Sequence, residues 1–368
     1  MNKIMAYMIL SVINCILYWV KIQENKITFI SYKSEKLEND FKLIAKKLEK
    51  EDRYNLVYVL IKYQNTLIGN IKYLFNCVKQ LYHINTSKIV ILDYNNFVVS
   101  NFKPKKTKVI QVWHASGAIK KFGNDIKRKY EIKNYDYILS SSKIWINIYS
   151  SAFNVPKESV IPLGIPRTDI LFNSKKLKKY KNDILKKYPK IRNKKVVLYA
   201  PTFRGDPINS VSYQKIDLKY IKNKLGDDYI IIYKLHPWLE EVNMYDENDD
   251  GIINGNKESI KKLFAVTDYL ICDYSAVIFD FSILEKPMIF FVPDLQEYKN
   301  DRGMYEEYEK IMPGPICKNE EDILMAIEKD SFNLEELKEF KNKYFDFKDG
   351  KSTERVVDFI KNLILNIN

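Results

Sequence analysis

The sequence predicts an α/β protein of two doubly wound, Rossmann-like lobes with a cleft between them, and three observations predict it. The chain has 368 residues, more than one hydrophobic core ordinarily serves and suited to two domains. Short apolar runs alternate with stretches of helical spacing, as buried parallel strands alternate with crossover helices. That alternation stops at a markedly basic stretch, FNSKKLKKYKNDILKKYPKIRNKK (172–195), and then begins again.

The first 25 residues stand apart from both series. Positions 4–20, IMAYMILSVINCILYWV, hold no charge and lie between Lys3 and Lys21. The run is at the lower limit for a transmembrane helix, and Ser11 and Asn14 weaken it further. No small-residue cleavage site follows, which argues against a removed signal peptide. The expectation is a membrane-associating segment over 1–25, with a buried core helix as the alternative and a true span behind both.

The first lobe, 26–175, opens with the strand KITFISY (26–32), the helix EKLENDFKLIAKKLEKE (35–51) and the strand YNLVYVLIKY (54–63). KIVILDY (88–94), KVIQVW (108–113), YDYILSS (135–141) and residues 159–162 continue it. The basic stretch reads as a solvated helix and linker. In the second lobe, 176–368, the strands are KVVLYA (195–200), DYIIIYK (228–234), DYLICDY (268–274) and KPMIFFV (286–292), with helices at the C-terminus.

Composition narrows the partners. Lysine and arginine number 60 against 47 acidic residues, a net charge of +13 that favours anionic lipid, phosphorylated substrates or nucleic acid. No basic-aromatic binding motif appears, so nucleic acid is not an expected partner. Cys15, Cys77, Cys272 and Cys317 form no CxxC pair, which argues against zinc or a disulfide framework and suits a reducing compartment. GxxxxGK(S/T) and GxGxxG are both missing. The acidic run DENDD (246–250) falls in a polar loop and the histidines lack acidic partners at ligand spacing, so no metal and no cofactor are expected.

Ligands of doubly wound sheets sit outside the carboxyl ends of the strands. Polar and cationic groups gather at those ends here. His114 follows the strand ending at Trp113, and Arg167 follows 159–162. Pro201, Thr202 and Arg204 follow VVLYA, while Lys234 and His236 end IIIYKLHP. Asp273 and Ser275 end YLICDYS, just before a helical stretch. Ser275 near a helix start, Lys234 and Arg167 suit phosphate; a neutral histidine suits proton abstraction from a hydroxyl. Each also has a plainer role: a cap for Ser275, a surface pair with Asp169 for Arg167, a satisfied structural ring for either histidine. His83 lies in a polar connection, KQLYHINTSK, and carries no expected role.

Six segments occur in one order: QVWHASGAIKKFG, GIPRTDILF, VVLYAPTFRGD, YKLHP, CDYSAVIFDFSILEKPMIFF and MPGPI. Together, over roughly residues 26–345, they resemble the CDP-glycerol glycerophosphotransferase family, the teichoic-acid primases and polymerases of Gram-positive envelopes. The resemblance implies a GT-B type fold, with the first lobe on the acceptor side and CDP-glycerol bound chiefly by the second. It implies catalytic roles for His114 and His236. The donor-binding positions it carries over are Trp113, Ala115, Ser116, Gly117, Arg167, Pro201, Thr202, Lys234, Leu235, Ser275, Ala276 and Asp280, beside Arg204 and Asp273 at the strand ends. The run Ala115 to Ala118 departs from the glycine-threonine-proline typical of polymerases and looks more like the primases. Ala276 stands where the family has a second serine, so one hydroxyl contact is missing.

The expected reaction is transfer of glycerol phosphate from CDP-glycerol to a hydroxyl of a lipid-linked or polymeric acceptor, with release of CMP, at the cytoplasmic face of an anionic membrane. His114 is the expected base, while His236, Lys234 and Arg167 answer charge on the diphosphate. Three alternatives stand beside it: a CDP-ribitol enzyme of the same family, a GT-B glycosyltransferase using a nucleotide sugar, and a basic membrane-surface or nucleic-acid-binding protein. Acceptor identity and oligomeric state have no signature in the sequence.

Overall fold

The computed structural model describes every residue except 1–2, 18, 129, 207–209, 246–250 and 367–368. The chain forms two compact units, the first of residues 1–117, 122–169 and 345–368, the second of 118–121 and 170–344. The acidic run at 246–250 lies outside the described residues.

In the first unit six strands make one parallel sheet. They are β1 (Gln23–Ser31), β2 (Asn55–Leu60), β3 (Ser87–Leu92), β4 (Lys108–Gln111), β5 (Tyr137–Ser140) and β6 (Val160–Pro162), in the order β2-β1-β3-β4-β5-β6. Ile27 of β1 lies opposite Leu56 on one side and Ile89 on the other. Helices cover both faces, so β3 is buried at every position and its run from Ile89 to Leu92 is apolar without alternation. On one face α2 (Asn39–Leu48) sets Phe41, Ile44, Ala45 and Leu48, at helical spacing, into the core formed by Ile27, Phe29, Ile89 and Ile91.

A helix the sequence does not announce follows β2. It is α3 (Leu67–Thr86), started by the Thr66 hydroxyl, which accepts from the Gly69 N–H at 3.0 Å. His83 therefore sits in the last turn of a helix, not in a polar connection. Burial, and then the nearby Lys26 and Lys79, lower its pKa to about 4. The apolar N-terminal run forms α1 (Lys3–Leu17), which packs on α3 and buries Ala6 and Leu10. Among the described residues no helix is long and apolar enough to cross a membrane.

The chain's last helix, Ser352–Asn366, belongs to this first unit, although the sequence places it with the second lobe. Val356, Val357 and Ile360 lie on one helical face and join the α2 core. Asp169 fixes its start, accepting from the Ser352 and Thr353 N–H groups at 2.8 Å each. Asp169 is thus a helix cap and not the surface partner of Arg167.

In the second unit the parallel strands are β7 (Lys195–Tyr199), β10 (Tyr229–Tyr233), β11 (Ile252–Asn254), β12 (Tyr269–Cys272), β13 (Met288–Phe291) and β14 (Ile316–Cys317). Their order, β11-β10-β7-β12-β13-β14, is the doubly wound one in which the first and fourth strands are neighbours. An antiparallel hairpin, β8 (Phe203–Asp206) and β9 (Ser210–Tyr213), is inserted after β7. The basic stretch forms the helix Ser174–Lys187, which buries only Ile184.

Candidate functional site

Each doubly wound sheet has one point where its connections diverge, and a crevice opens there beyond the strand ends. In the first unit that point lies between β1 and β3. The chain leaving β4 turns sharply at Trp113, whose φ of 54° is left-handed, a costly conformation for a bulky residue. The turn is held by packing. The Trp113 ring stacks on Phe122 at 5.0 Å and meets Phe153 edge-on at 5.1 Å, while the Trp113 backbone N–H donates to the Gln111 side-chain oxygen at 2.9 Å. Trp113 is thereby buried, and the next side chain, His114, is turned out to solvent.

His114 is oriented from behind. Its ring lies parallel to Tyr94 with centroids 4.3 Å apart, and its Nδ1 is 3.4 Å from the backbone carbonyl of Asp93. A carbonyl can only accept, so the proton belongs on Nδ1 and the lone pair on Nε2. That tautomer is the one a general base needs. Beside the ring opens a cavity of about 140 Å³, lined among others by Ser31, Lys33, Asp93, Tyr94, His114 and Arg167. Arg167 is a buried ion-pair partner: its Nη1 donates to Asp40 Oδ2 at 2.9 Å, and its backbone N–H to Asp40 Oδ1 at 2.7 Å. Its charge is therefore met within the first unit by a carboxylate 127 residues away in sequence.

In the second unit the divergence lies between β7 and β12, and Thr202, Arg204 and Asp273 are joined there. Asp273, directly after β12, accepts from the Thr202 N–H at 2.7 Å and from Arg204 Nη1 at 2.8 Å. Arg204 also donates from Nε to Asp294 at 2.7 Å, and its guanidinium lies 5.0 Å from both the Tyr274 and Tyr298 rings. Burial pushes the Asp273 carboxyl upward, and the adjacent guanidinium opposes that push. Arg204 and Asp273 thus form the frame that holds Pro201 and Thr202 at the sheet's crevice.

His236 starts a single helical turn, Pro237–Leu239, and its Nδ1 accepts from the Trp238 N–H at 3.3 Å. An acceptor at Nδ1 puts the proton on Nε2, so this ring presents a donor, the reverse of His114. Phe203 and Trp238 flank it at 4.9 and 4.7 Å. Lys234 donates to the Asn256 carbonyl at 2.7 Å, and burial lowers its pKa. Leu235 is core, its side chain buried and its N–H bonded to the Asn256 side chain. Ser275, Ala276 and Asp280 are half-buried. The helix beyond Ser275 is only Val277–Ser282, and the Ser275 hydroxyl lies 3.5 Å from its first N–H, so an extended helix dipole is not available there.

In the first unit, Ala115 follows His114 half-buried, while Ser116 and Gly117 are buried; the Ser116 carbonyl accepts from the Ser141 hydroxyl at 2.7 Å. Lys120, part of the second unit, is the cation the sequence passed over. Its ammonium donates to the Tyr298 hydroxyl at 3.2 Å and lies 5.5 Å from the Phe203 ring that flanks His236. Burial brings its pKa down to about 8, with Asp273 opposing and Arg302 and Arg204 adding to the fall. Asp93 was also missed, because it reads as the tail of a strand. Among the described residues no group of three or more His, Cys, Asp or Glu side chains is placed to hold a metal ion.

The chain is 33% identical over 378 residues to a teichoic acid ribitol-phosphate primase of Bacillus spizizenii, covering 98% of this chain and 95% of that one. It is 32% identical over 380 residues to a teichoic acid glycerol-phosphate primase of Bacillus subtilis, covering 96% of each. The wall teichoic acid polymerase TagF has the same fold, with a TM-score of 0.77 at 23% identity, covering 97% of this chain and 94% of that one. The family model for CDP-glycerol:poly(glycerophosphate) glycerophosphotransferases matches residues 12–362, and the chain belongs to that family.

Proposed function

We propose that this protein transfers a polyol phosphate, glycerol phosphate in the first instance, from its CDP-activated form to a hydroxyl of a lipid-linked acceptor. The acceptor hydroxyl attacks the phosphorus that carries the polyol and loses its proton to His114 Nε2. The bond from that phosphorus to the bridging diphosphate oxygen breaks, and CMP leaves with the electron pair. Catalysis in such transfers is mostly positioning and electrostatics. The observation that carries this reading is the exposed imidazole of His114, held by a backbone carbonyl in the tautomer of a base.

The second unit supplies the donor side. His236 Nε2–H and the Lys120 ammonium are the hydrogen-bond donors for the diphosphate, and the Thr202 segment, pinned by Asp273, offers backbone at the crevice. Arg204 and Asp273 act by holding that frame. Ribitol phosphate is a second reading, favoured by the ribitol-phosphate primase among the relatives. Single addition to a primer is supported by the primase-like run Ala115 to Ala118.

Attachment to the anionic membrane surface is part of the same reading. On α3, Leu67, Ile68, Ile71 and Phe75 are exposed, and on the packed α1 so are Met8, Val12 and Ile16. An apolar face on two adjacent helices of a chain with net charge +13 suits a monotopic seat on anionic lipid. The test is mass spectrometry of products from CDP-glycerol and CDP-ribitol with a short acceptor, in solution and in anionic vesicles. Added units of glycerol phosphate, with Leu67→Ser/Phe75→Ser slowing only the vesicle reaction, are expected. Release of UDP from a nucleotide sugar, with none from either CDP-polyol, would overturn the reading.

A further inference from the structure

The cavity beside His114 is not accounted for by donor binding. It lies where the connections of the first sheet diverge: Ser31 ends β1, Asp93 follows β3, and both line it. At about 140 Å³ it falls well below the roughly 300–1,000 Å³ of sites that enclose drug-sized ligands. A nucleotide does not fit such a volume, whereas one small polyol unit does.

Its lining also holds Ser31, Ser34, Asn39, the paired Asp40 and Arg167 and the exposed carboxylate of Glu38, and two further kinds of polar group mark it as a site. Asp93 Oδ1 is buried without a hydrogen-bond partner, although a buried carboxylate oxygen ordinarily has one. Burial pushes this carboxyl up to about 7, with Asp40 adding to the rise and Ser31 and Arg167 opposing it, so near neutrality it both donates and accepts. The second kind is cationic. Lys33 stands 5.4 Å from the Tyr94 ring and feels the Asp93 charge, and Lys36 lies exposed in the same lining. A hydroxyl-binding acid with two ammonium groups around it matches a polyol esterified to phosphate.

We propose that this cavity is the subsite for the terminal polyol-phosphate unit of the acceptor, with the Asp93 carboxyl binding a hydroxyl next to the attacking one and Lys33 and Lys36 facing its phosphate. The subsite rests on the reading of His114 as the base, and its geometry links the two. Asp93 offers its carboxyl to the cavity and its carbonyl to His114 Nδ1, while Tyr94 stacks on the same imidazole. One dipeptide thereby sets both the acceptor and the base that deprotonates it.

Steady-state kinetics of the full chain test this, varying acceptor at saturating CDP-glycerol and the donor at saturating acceptor. Asp93→Asn, nearly isosteric, is expected to raise the acceptor KM about tenfold while leaving the donor KM within about twofold. Lys36→Ala is expected to weaken only acceptors ending in a polyol phosphate, not those ending in the saccharide. An unchanged acceptor KM in Asp93→Asn, or an equal rise in the donor KM, overturns the subsite. If His114→Gln stays active while Asp93→Asn raises the acceptor KM, the subsite stands and the base assignment falls. The converse pattern keeps the base and removes the subsite.

Discussion

Asp93 and Asp273 occupy corresponding places in the two units. Each is the first residue after the strand that flanks the divergence point of its sheet, β3 in one case and β12 in the other. Their surroundings differ. Asp273 is saturated, accepting from Thr202 and Arg204, whereas Asp93 keeps one buried oxygen without a hydrogen-bond partner. The histidines differ in the same way: His114 lies against a carbonyl and His236 accepts from an N–H. One fold, used twice, thus supplies a rigid frame in one unit and a site with unspent hydrogen-bonding capacity in the other. Residue type alone does not distinguish the two; the partners do.

The largest effect expected from that contrast is on stability. Asp273→Ala leaves the half-buried Arg204 with Asp294 and the Thr202 carbonyl, and strips the Thr202 N–H of its acceptor, which should cost about 3 kcal/mol in urea unfolding. A loss under about 1 kcal/mol would deny Asp273 its framing role. Next in size is Lys120, faced by Asp273, Arg204, Arg302, Tyr298 and Phe203. Its pKa is lowered to about 8, so its charge is lost as pH rises through that value and donor affinity should fall with it. Lys120→Met should weaken donor binding about tenfold at pH 7 and flatten the dependence between pH 7 and 9. An unaltered pH profile would remove Lys120 from the donor site.

The smallest effect separates the aspartates most cleanly. Asp93 has a folded pKa raised to about 7, so folding takes up a proton between the unfolded carboxylate value and 7, and stability falls as pH rises through that window. Asp93→Asn should therefore raise Tm at pH 8 by a few degrees and remove that slope. A lower Tm in the variant would make Asp93 a structural residue like Asp273.

Much of this fold was legible. Strands such as KIVILDY and DYLICDY carry unbroken central runs, IVIL and YLIC, because parallel strands are covered on both faces. Helix α3 was not legible, since Leu67, Ile71 and Phe75 face outward and blur the expected inward stripe. The hairpin strands FRGD and SVSY are only four residues each, and β14 is two residues long. At the site, the histidines and the cations at strand exits could be named. Their partners could not: Arg167 is met by Asp40 and Arg204 by Asp294, pairs closed by tertiary structure with no local signature. Lys234 likewise spends its ammonium on a backbone carbonyl.

The division of labour between the two imidazoles is tested most directly by parallel glutamine variants in single-turnover CMP release from CDP-glycerol. Glutamine reproduces an Nε2–H donor but has no basicity. The expected result is a loss of about a hundredfold or more for His114→Gln with donor binding intact, against a loss within about tenfold for His236→Gln. Equal losses in the two variants, or a larger one at His236, would contradict the assignment of base and donor.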